Sequence, residues 1–217
     1  MNFEKIHNKG QARLFKNYYA EYLTKSHPLV IWAIYLPVII FLPWYALDKF
    51  RFDVSQVAFY FFAGIFFWTF FEYIMHRFIF HWVSENRNAR KIIYVMHGNH
   101  HEYPRDKERL FMPPVPSIIL ASTIFCIMYL FMKKNAFSFF PGFMLGYLLY
   151  GSIHYAIHAW SPPFKFMKPL WRNHHLHHYK SDERGFGVST SFWDKVFGTG
   201  FYNMPVKEAH DTANPMT

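Results

Sequence analysis

Cysteine and acidic residues are scarce in this chain. A single cysteine, Cys126, stands among 217 residues, so no disulfide can form within one chain. It lies inside an apolar stretch and reads as apolar filler. The first 28 residues are polar and basic and lack an adjacent apolar core with a cleavage site, so no signal peptide is expected. No haem, flavin or iron–sulfur ligand pattern is recognisable. Fourteen Asp and Glu stand against 23 Lys and Arg, a formal charge of +9. Such a balance suits nucleic acid binding. Here the charges sit in the gaps between apolar stretches, so they are read as orienting the chain, and nucleic acid is not an expected partner. The length suits one domain and is too short for a large membrane domain plus a second soluble enzyme domain.

Apolar residues, by contrast, are abundant. They make up 52% of the chain, with 27 Phe and 15 Tyr. The mean hydropathy is near zero only because long apolar stretches are averaged with a basic, histidine-rich remainder. Four stretches, 29–47, 54–75, 115–132 and 141–160, have the length of a bilayer crossing. Pro37 and Pro43 lie inside the first, as membrane helices tolerate. Gly142, Gly146, Gly151 and Ser152 in the fourth allow close helix contact. The expected fold class is all-α: a polytopic membrane protein with four transmembrane helices and a cytoplasmic, histidine-rich helical cap. Residues 1–28 are read as a cytoplasmic segment and 29–217 as one integral-membrane domain. The two short gaps between crossings hold only Lys49, Arg51, Lys133 and Lys134, whereas nineteen Lys or Arg lie in the ends and the 76–113 segment. The positive-inside tendency then places both termini and that middle segment in the cytoplasm.

Fourteen histidines are far above ordinary usage, and ten fall in four tight clusters. These are His76 and His81 in HRFIFH, His97, His100 and His101 in HGNHH, His154 and His158 in HYAIH, and His174, His177 and His178 in HHLHH. The first cluster ends the second crossing, the next lies in the middle cytoplasmic segment, the third near the cytoplasmic end of the fourth crossing and the last in the tail, so all four can converge on one plane. Spacings of three and four put side chains on one helical face. The 76/81 spacing of five leaves the two rings about 140° apart on a regular helix. They therefore serve different metals, or the helix distorts. Neutral imidazole suits iron and zinc among other metals. A hydrolytic zinc site needs only about three protein ligands, so ten candidates point instead to two metal ions. His7, His27 and His210 lie outside the clusters and are assigned to surface or linker. His175 is read as adjacent to the ligands rather than as one.

HGNHHEYPRDKERLFMPP (97–114) and HHLHHYKSDERGFGVSTSFWDKVFGT (174–199) resemble the fatty acid 2-hydroxylases of the fatty acid hydroxylase and sterol desaturase superfamily. HRFIFH and HYAIH match its remaining histidine boxes in order and spacing. The resemblance covers roughly residues 60–200. It implies that the ten boxed histidines hold two iron ions (zinc in some purified samples), with O2 as co-substrate. It also implies hydroxylation at C2 of a long fatty acyl chain, free or lipid-bound. Eukaryotic members usually carry a cytochrome b5 domain ahead of the first crossing. The 28 residues there are too few for one, so the expected electron donor is separate: a cytochrome b5-like protein, a ferredoxin or a reductase. A bacterial inner membrane is the expected location.

Around the boxes, Glu72, Glu102, Asp106, Asp182 and Asp194 are candidate acceptors for the outer nitrogens of liganding imidazoles. Tyr155, Tyr179 and His175 are candidates for the same surroundings. Gly185, Phe186, Gly187 and Trp193 are candidates for a cap or substrate entrance, with a plain membrane-surface anchor as the other reading of that segment. A sterol or carotenoid hydroxylase or a lipid desaturase would share the histidine chemistry. A metal transporter is a reading of a different class, but it would place its ligands along a crossing.

Overall fold

A computed structural model describes residues 6–201 of the protein. Among the described residues the regular structure is helical. In chain order the helices are α1 (Tyr18–Tyr22), α2 (Pro28–Phe50), α3 (Val54–Ile74), α4 (Arg87–Ile93), α5 (Asn99–Glu102), α6 (Pro114–Met132), α7 (Ala136–Ala159), α8 (Lys168–Tyr179) and α9 (Phe192–Val196). The four apolar stretches of the sequence fall on helices α2, α3, α6 and α7. Three helical stretches are long and apolar enough to cross a membrane: Pro28–Phe50, Val54–Phe80 and Lys107–Ala159.

The long helices start and stop for local reasons. His27 caps α2: its Nδ1 accepts from the Leu29 N–H at 3.3 Å, and Pro28 occupies the first helical position, where its missing N–H costs nothing. Arg51 ends α2 in the left-handed conformation (φ 56°), with its N–H bonded to the Ala46 carbonyl. Pro37 and Pro43 lie within the uninterrupted helix.

The chain divides into two compact units. Residues 15–69 and 108–152 form one, and described residues 6–14, 70–107 and 153–201 form the other. Two of the divisions fall inside α3 and α7.

In the first unit, the stretch from α6 to α7 doubles back. Lys133 takes a positive φ of 52° and a single 3-10 turn follows. The ring centroids of Phe125 and Phe140 lie 5.2 Å apart. Fifteen residues of continuous helix would hold them about 22 Å apart, so α6 and α7 form an antiparallel hairpin. Polar side chains tie the helices together inside this apolar unit. Tyr35 Oη and Ser117 Oγ are 2.6 Å apart, and Trp32 Nε1 donates to Ser152 Oγ at 3.0 Å. With few apolar partners differing between lipid and protein, such bonds and close packing are what distinguish one helix arrangement from another. Gly142 supplies the close packing: a Cβ there would sit 1.8 Å from the Phe61 carbonyl oxygen, so α3 and α7 touch backbone to backbone. Outward, the helices expose large apolar residues, with Leu130 64% and Phe131 84% exposed. A water-facing surface would not tolerate this density of them.

The second unit contains the ends of α3 and α7, together with α4, α5, α8 and α9. Its buried residues are unusual in being largely polar: eight of the ten boxed histidines, all but His81 and His158, are buried, alongside Glu72, Asn173 and Asp194.

Candidate metal centre

Helix α3 leaves α-helical geometry before its histidines. Residues Met75–Phe80 form a π-helical turn, in which hydrogen bonding runs to the fifth residue. That change brings residue 81 back over residue 76, and the two ring centroids lie 5.1 Å apart. The awkward spacing of five is thereby resolved by distortion of the helix. A second π-helical turn, Tyr94–Gly98, precedes α5. Asn99 donates through Nδ2 to the Tyr94 and Val95 carbonyls at 2.9 and 2.8 Å, satisfying oxygens in the distorted turn.

The ten boxed histidines gather into two groups of five. His76, His81, His97, His101 and His177 form one, and His100, His154, His158, His174 and His178 the other. Within each group one ligand atom per residue lies within 4.8 Å of all the rest. The groups adjoin, with the His101 and His178 rings 4.3 Å apart. The sorting follows helical spacing. Pairs four apart (97/101, 154/158, 174/178) stay together, whereas the third member of each three-histidine box, His100 or His177, crosses to the other group.

The ring chemistry fits a cation in each group. Five Nε2–Nε2 approaches of 2.9–3.1 Å link the rings: His76 and His101 to His97, His154 to His100, and His158 and His178 to His174. A neutral imidazole Nε2 carries either one proton or one lone pair, so the Nε2 of His97 or His174 cannot make a good hydrogen bond to both of its Nε2 neighbours. His76 and His177 donate through Nδ1 to the Phe186 and Arg184 carbonyls, both at 2.6 Å. Their Nε2 atoms are therefore the lone-pair atoms. The His177 Nε2 is buried with no hydrogen-bond partner, a costly state for a polar atom unless an ion takes the lone pair. Burial first, and repulsion by neighbouring imidazoles second, hold His97, His100, His101, His174 and His178 well below the usual histidine range, and bring His177 down to about 3. All six are neutral at pH 7, the form that binds metal.

The residues expected around the boxes take several roles. Asp182 faces a boxed imidazole at ion-pair distance, 3.7 Å from His81 Nδ1. Glu72 is buried in α3 and accepts from the Val188 and Ser189 N–H groups at 2.7 and 2.9 Å and from the Ser189 hydroxyl. Asp194 accepts from the Phe186 and Gly187 N–H groups at 3.0 and 2.9 Å, from Asn173 Nδ2 at 3.2 Å and from the Thr199 hydroxyl at 2.8 Å. These two carboxylates thus bind a backbone loop, and carbonyls of the same loop orient the imidazoles. Glu102 accepts from the Tyr94 hydroxyl at 2.6 Å, and Asp106 from Gln11 at 3.0 Å. Tyr179 donates to Asn8 at 2.8 Å, and the Tyr155 ring packs on Trp160 with centroids 5.5 Å apart. His175 lies outside both groups, half-buried, and bonds the Ile157 carbonyl.

Among the isolated histidines, His7 stacks on Tyr103 with centroids 5.0 Å apart, His27 caps α2, and His210 lies outside the described residues. In the segment expected to cap the site, Gly185 has a φ of 72°, and a Cβ there would meet the Phe201 ring at 2.5 Å. A Cβ on Gly187 would lie 2.1 Å from the Thr190 carbonyl oxygen. Phe186 is buried against His76, with centroids 5.8 Å apart, and Trp193 packs on Phe70 at 4.8 Å. The sequence reading missed the Arg184 and Phe186 carbonyls, because every residue carries a carbonyl. It also missed Asn99, Asn173, Ser189 and Thr199, although the first two sit within or beside histidine boxes.

Known proteins resemble this chain in sequence and in overall fold. The fatty acid hydroxylase family model matches residues 61–199. The ceramide very long chain fatty acid hydroxylase of Saccharomyces cerevisiae is 38% identical over 200 residues, covering 89% of this chain and 50% of the relative. The dihydroceramide fatty acyl 2-hydroxylase FAH1 of Arabidopsis thaliana is 34% identical over 197 residues, covering 89% of this chain and 82% of the relative. The chain thus spans half the length of the yeast relative and about four-fifths of the plant one. A solved structure of full-length Scs7p, with only its hydroxylase domain visible, superposes with a TM-score of 0.83 at 37% identity, covering 91% of this chain and 75% of that one. With the family model spanning all four histidine boxes, this chain belongs to the fatty acid hydroxylase family.

Proposed function

We propose that this protein is an O2-dependent hydroxylase that places a hydroxyl group on C2 of a long fatty acyl chain, free or lipid-bound. The observation that carries the reading is the pair of five-imidazole groups in a chain whose relatives are named as fatty acid and dihydroceramide fatty acyl 2-hydroxylases. The ten histidines of the two groups hold two iron ions. Bound there, the iron supplies the oxygen-activating chemistry that an unactivated C–H bond requires. The overall reaction converts C–H, O2, two electrons and two protons into C–OH and water. The two electrons come from a separate donor: a cytochrome b5-like protein, a ferredoxin or a reductase.

The chain's own residues bind and orient. The buried imidazoles keep their lone pairs free at neutral pH, because burial and mutual repulsion oppose protonation. The Arg184 and Phe186 carbonyls hold His177 and His76 in the tautomer that presents Nε2. Four crossings, α2, α3, α6 and α7, anchor the protein, with both termini and the histidine groups on the cytoplasmic side of a bacterial inner membrane. The α6–α7 hairpin and the distribution of Lys and Arg support that count and orientation. An acyl chain then reaches the site from the bilayer while its carboxyl-derived end stays near water, and holding C2 near the metals is the positioning the reaction needs.

The test is expression in a host lacking 2-hydroxy lipids, with labelled O2 and, separately, labelled water. Lipid mass spectrometry should find label from O2 at C2. A new oxygen derived only from water, or a double bond without a hydroxyl, would defeat the reaction type. Hydroxylation at another carbon would defeat the assigned position.

A further inference from the structure

The two histidine groups are held from outside in unequal ways. The loop Asp182–Ser189 reaches three of the five histidines in the group of His76, His81, His97, His101 and His177. The Phe186 carbonyl accepts from His76, the Arg184 carbonyl from His177, and the Asp182 carboxylate faces His81 at 3.7 Å. In the other group, His174 and His178 have buried Nδ1 atoms without a hydrogen-bond partner. The loop does not hold its shape through regular structure. It is irregular between α8 and α9, and it depends on side chains from elsewhere.

Two buried carboxylates grip it from separate elements. Glu72, 4% exposed in α3, takes the Val188 and Ser189 N–H groups and the Ser189 hydroxyl. Asp194, fully buried in α9, takes the Phe186 and Gly187 N–H groups. Asn173, beside His174 on α8, is tied to the same assembly through Asp194 and the Gly187 carbonyl. Four consecutive N–H groups, from Phe186 to Ser189, are thus fixed by two carboxylates. A Cβ at Gly187 would strike the Thr190 carbonyl at 2.1 Å, so the backbone there is tightly folded as well. A peptide unit fixed on its N–H side has little freedom on its carbonyl side. Gripping the Phe186 N–H and the following N–H groups therefore fixes where the Phe186 carbonyl points, and with it the His76 ring.

We infer that Glu72 and Asp194 are positioning residues for one metal site of the two: they clamp the 182–189 loop, which orients His76 and His177 and sets the Asp182 carboxylate beside His81, and which leaves the His100, His154, His158, His174 and His178 site standing without it. This rests on the reading that each five-histidine group holds one metal ion. The consequence is selective. Loosening the clamp weakens one site and spares the other, whereas general damage to the fold lowers both together.

Cobalt(II) titration of the purified full-length protein tests this, with metal content per chain and the visible cobalt spectrum as readouts. The unaltered protein should bind two ions. Glu72→Gln and Asp194→Asn, which place amide donors against N–H groups, should each retain about one at concentrations that saturate the unaltered protein. Loss of outer partners typically weakens metal binding about 10–100-fold. The residual spectrum should match that of His76→Ala and differ from that of His154→Ala. Ser189→Ala removes one hydroxyl contact to Glu72 and leaves the backbone bonds. It should weaken one binding step about tenfold, and it decides the question if the carboxylate variants do not fold. Two ions bound with unchanged affinity in the clamp variants, or parallel weakening of both sites in a folded variant, overturns the inference. Fewer than two ions in the unaltered, saturated protein defeats the two-metal reading itself, a separate result.

Discussion

Replacing Gly142 by alanine tests the helix packing that sets α3 against α7. The added Cβ would lie 1.8 Å from the Phe61 carbonyl oxygen and 2.7 Å from its carbon. Ordinary contact needs 3.4 Å or more, so α7 must move away from α3 by roughly 1.5 Å at this point, given that packed interiors contain little slack. A backbone carbonyl cannot swing aside as a side-chain tip can. Gly64 makes the contact reciprocal, since a Cβ there would lie 2.1 Å from the Phe139 carbonyl oxygen. Parting the helices also loosens the Trp68–Phe143 contact, whose ring centroids are 4.9 Å apart. Overpacking of this kind costs about 1–3 kcal/mol, and a clash with fixed backbone belongs at the upper end. Alanine returns about 1 kcal/mol through its better helix propensity. The net loss is about 2 kcal/mol, and at about 2–4 °C per kcal/mol for a chain of this size the melting temperature should fall by about 4–8 °C. Thermal unfolding in detergent, followed by circular dichroism, measures it. A melting temperature equal to or above that of the unaltered protein would refute the backbone-to-backbone contact. Gly142→Leu should be worse than Gly142→Ala; the reverse order would refute it too.

The histidine assignment separates cleanly by substitution. His154→Ala or His178→Ala should lower metal content, whereas His27→Ala and His175→Ala should leave it unchanged, because His27 caps a helix and His175 lies outside both groups. Elemental analysis of the purified proteins decides this. Topology is testable in a Cys126→Ser background with one new cysteine placed between residues 133 and 140. An impermeant thiol reagent should label it from the side opposite both termini, and labelling from the cytoplasmic side would reject the proposed orientation.

Much of the fold was legible because its signals are local. An uninterrupted apolar run of membrane-crossing length has few alternatives to a helix. The stretch expected at 115–132 is accordingly helix Pro114–Met132, and that at 29–47 lies within Pro28–Phe50. The short gap between the third and fourth stretches has no long apolar run to mark it as helical. There, a positive φ at Lys133 and a single 3-10 turn reverse the chain, and α7 already begins at Ala136. Tight reversal leaves no room for more. The histidine boxes were equally legible by residue type and spacing, and their i, i+4 pairs remain together in the structure.

Other features had no local signature. The spacing of His76 and His81 left two outcomes open on a regular helix, and only the π-helical turn at Met75–Phe80 selects between them. Such a distortion depends on what packs around the helix end, which spacing does not encode. The assignment of His100 and His177 to opposite groups likewise depends on how α5, α7 and α8 meet. Carboxylates near the boxes were legible as important acceptors, yet Glu72 and Asp194 act one step further out, through the backbone of the 186–189 loop.

By itself, then, the sequence determined which residue types were available and roughly where each helix lay: ten imidazoles in four boxes, two at the ends of apolar runs and two in the polar segments that follow them. Tertiary structure alone decided that these imidazoles form two sets of five, which rings share a set, and that carbonyls of one loop bond two members of one set. The physical reason is range. Helix formation and apolar runs are set by neighbours along the chain, whereas a metal site needs lone pairs from residues as far apart as His76 and His177 to converge, and their tautomers are fixed by carbonyls that carry no side-chain signal at all.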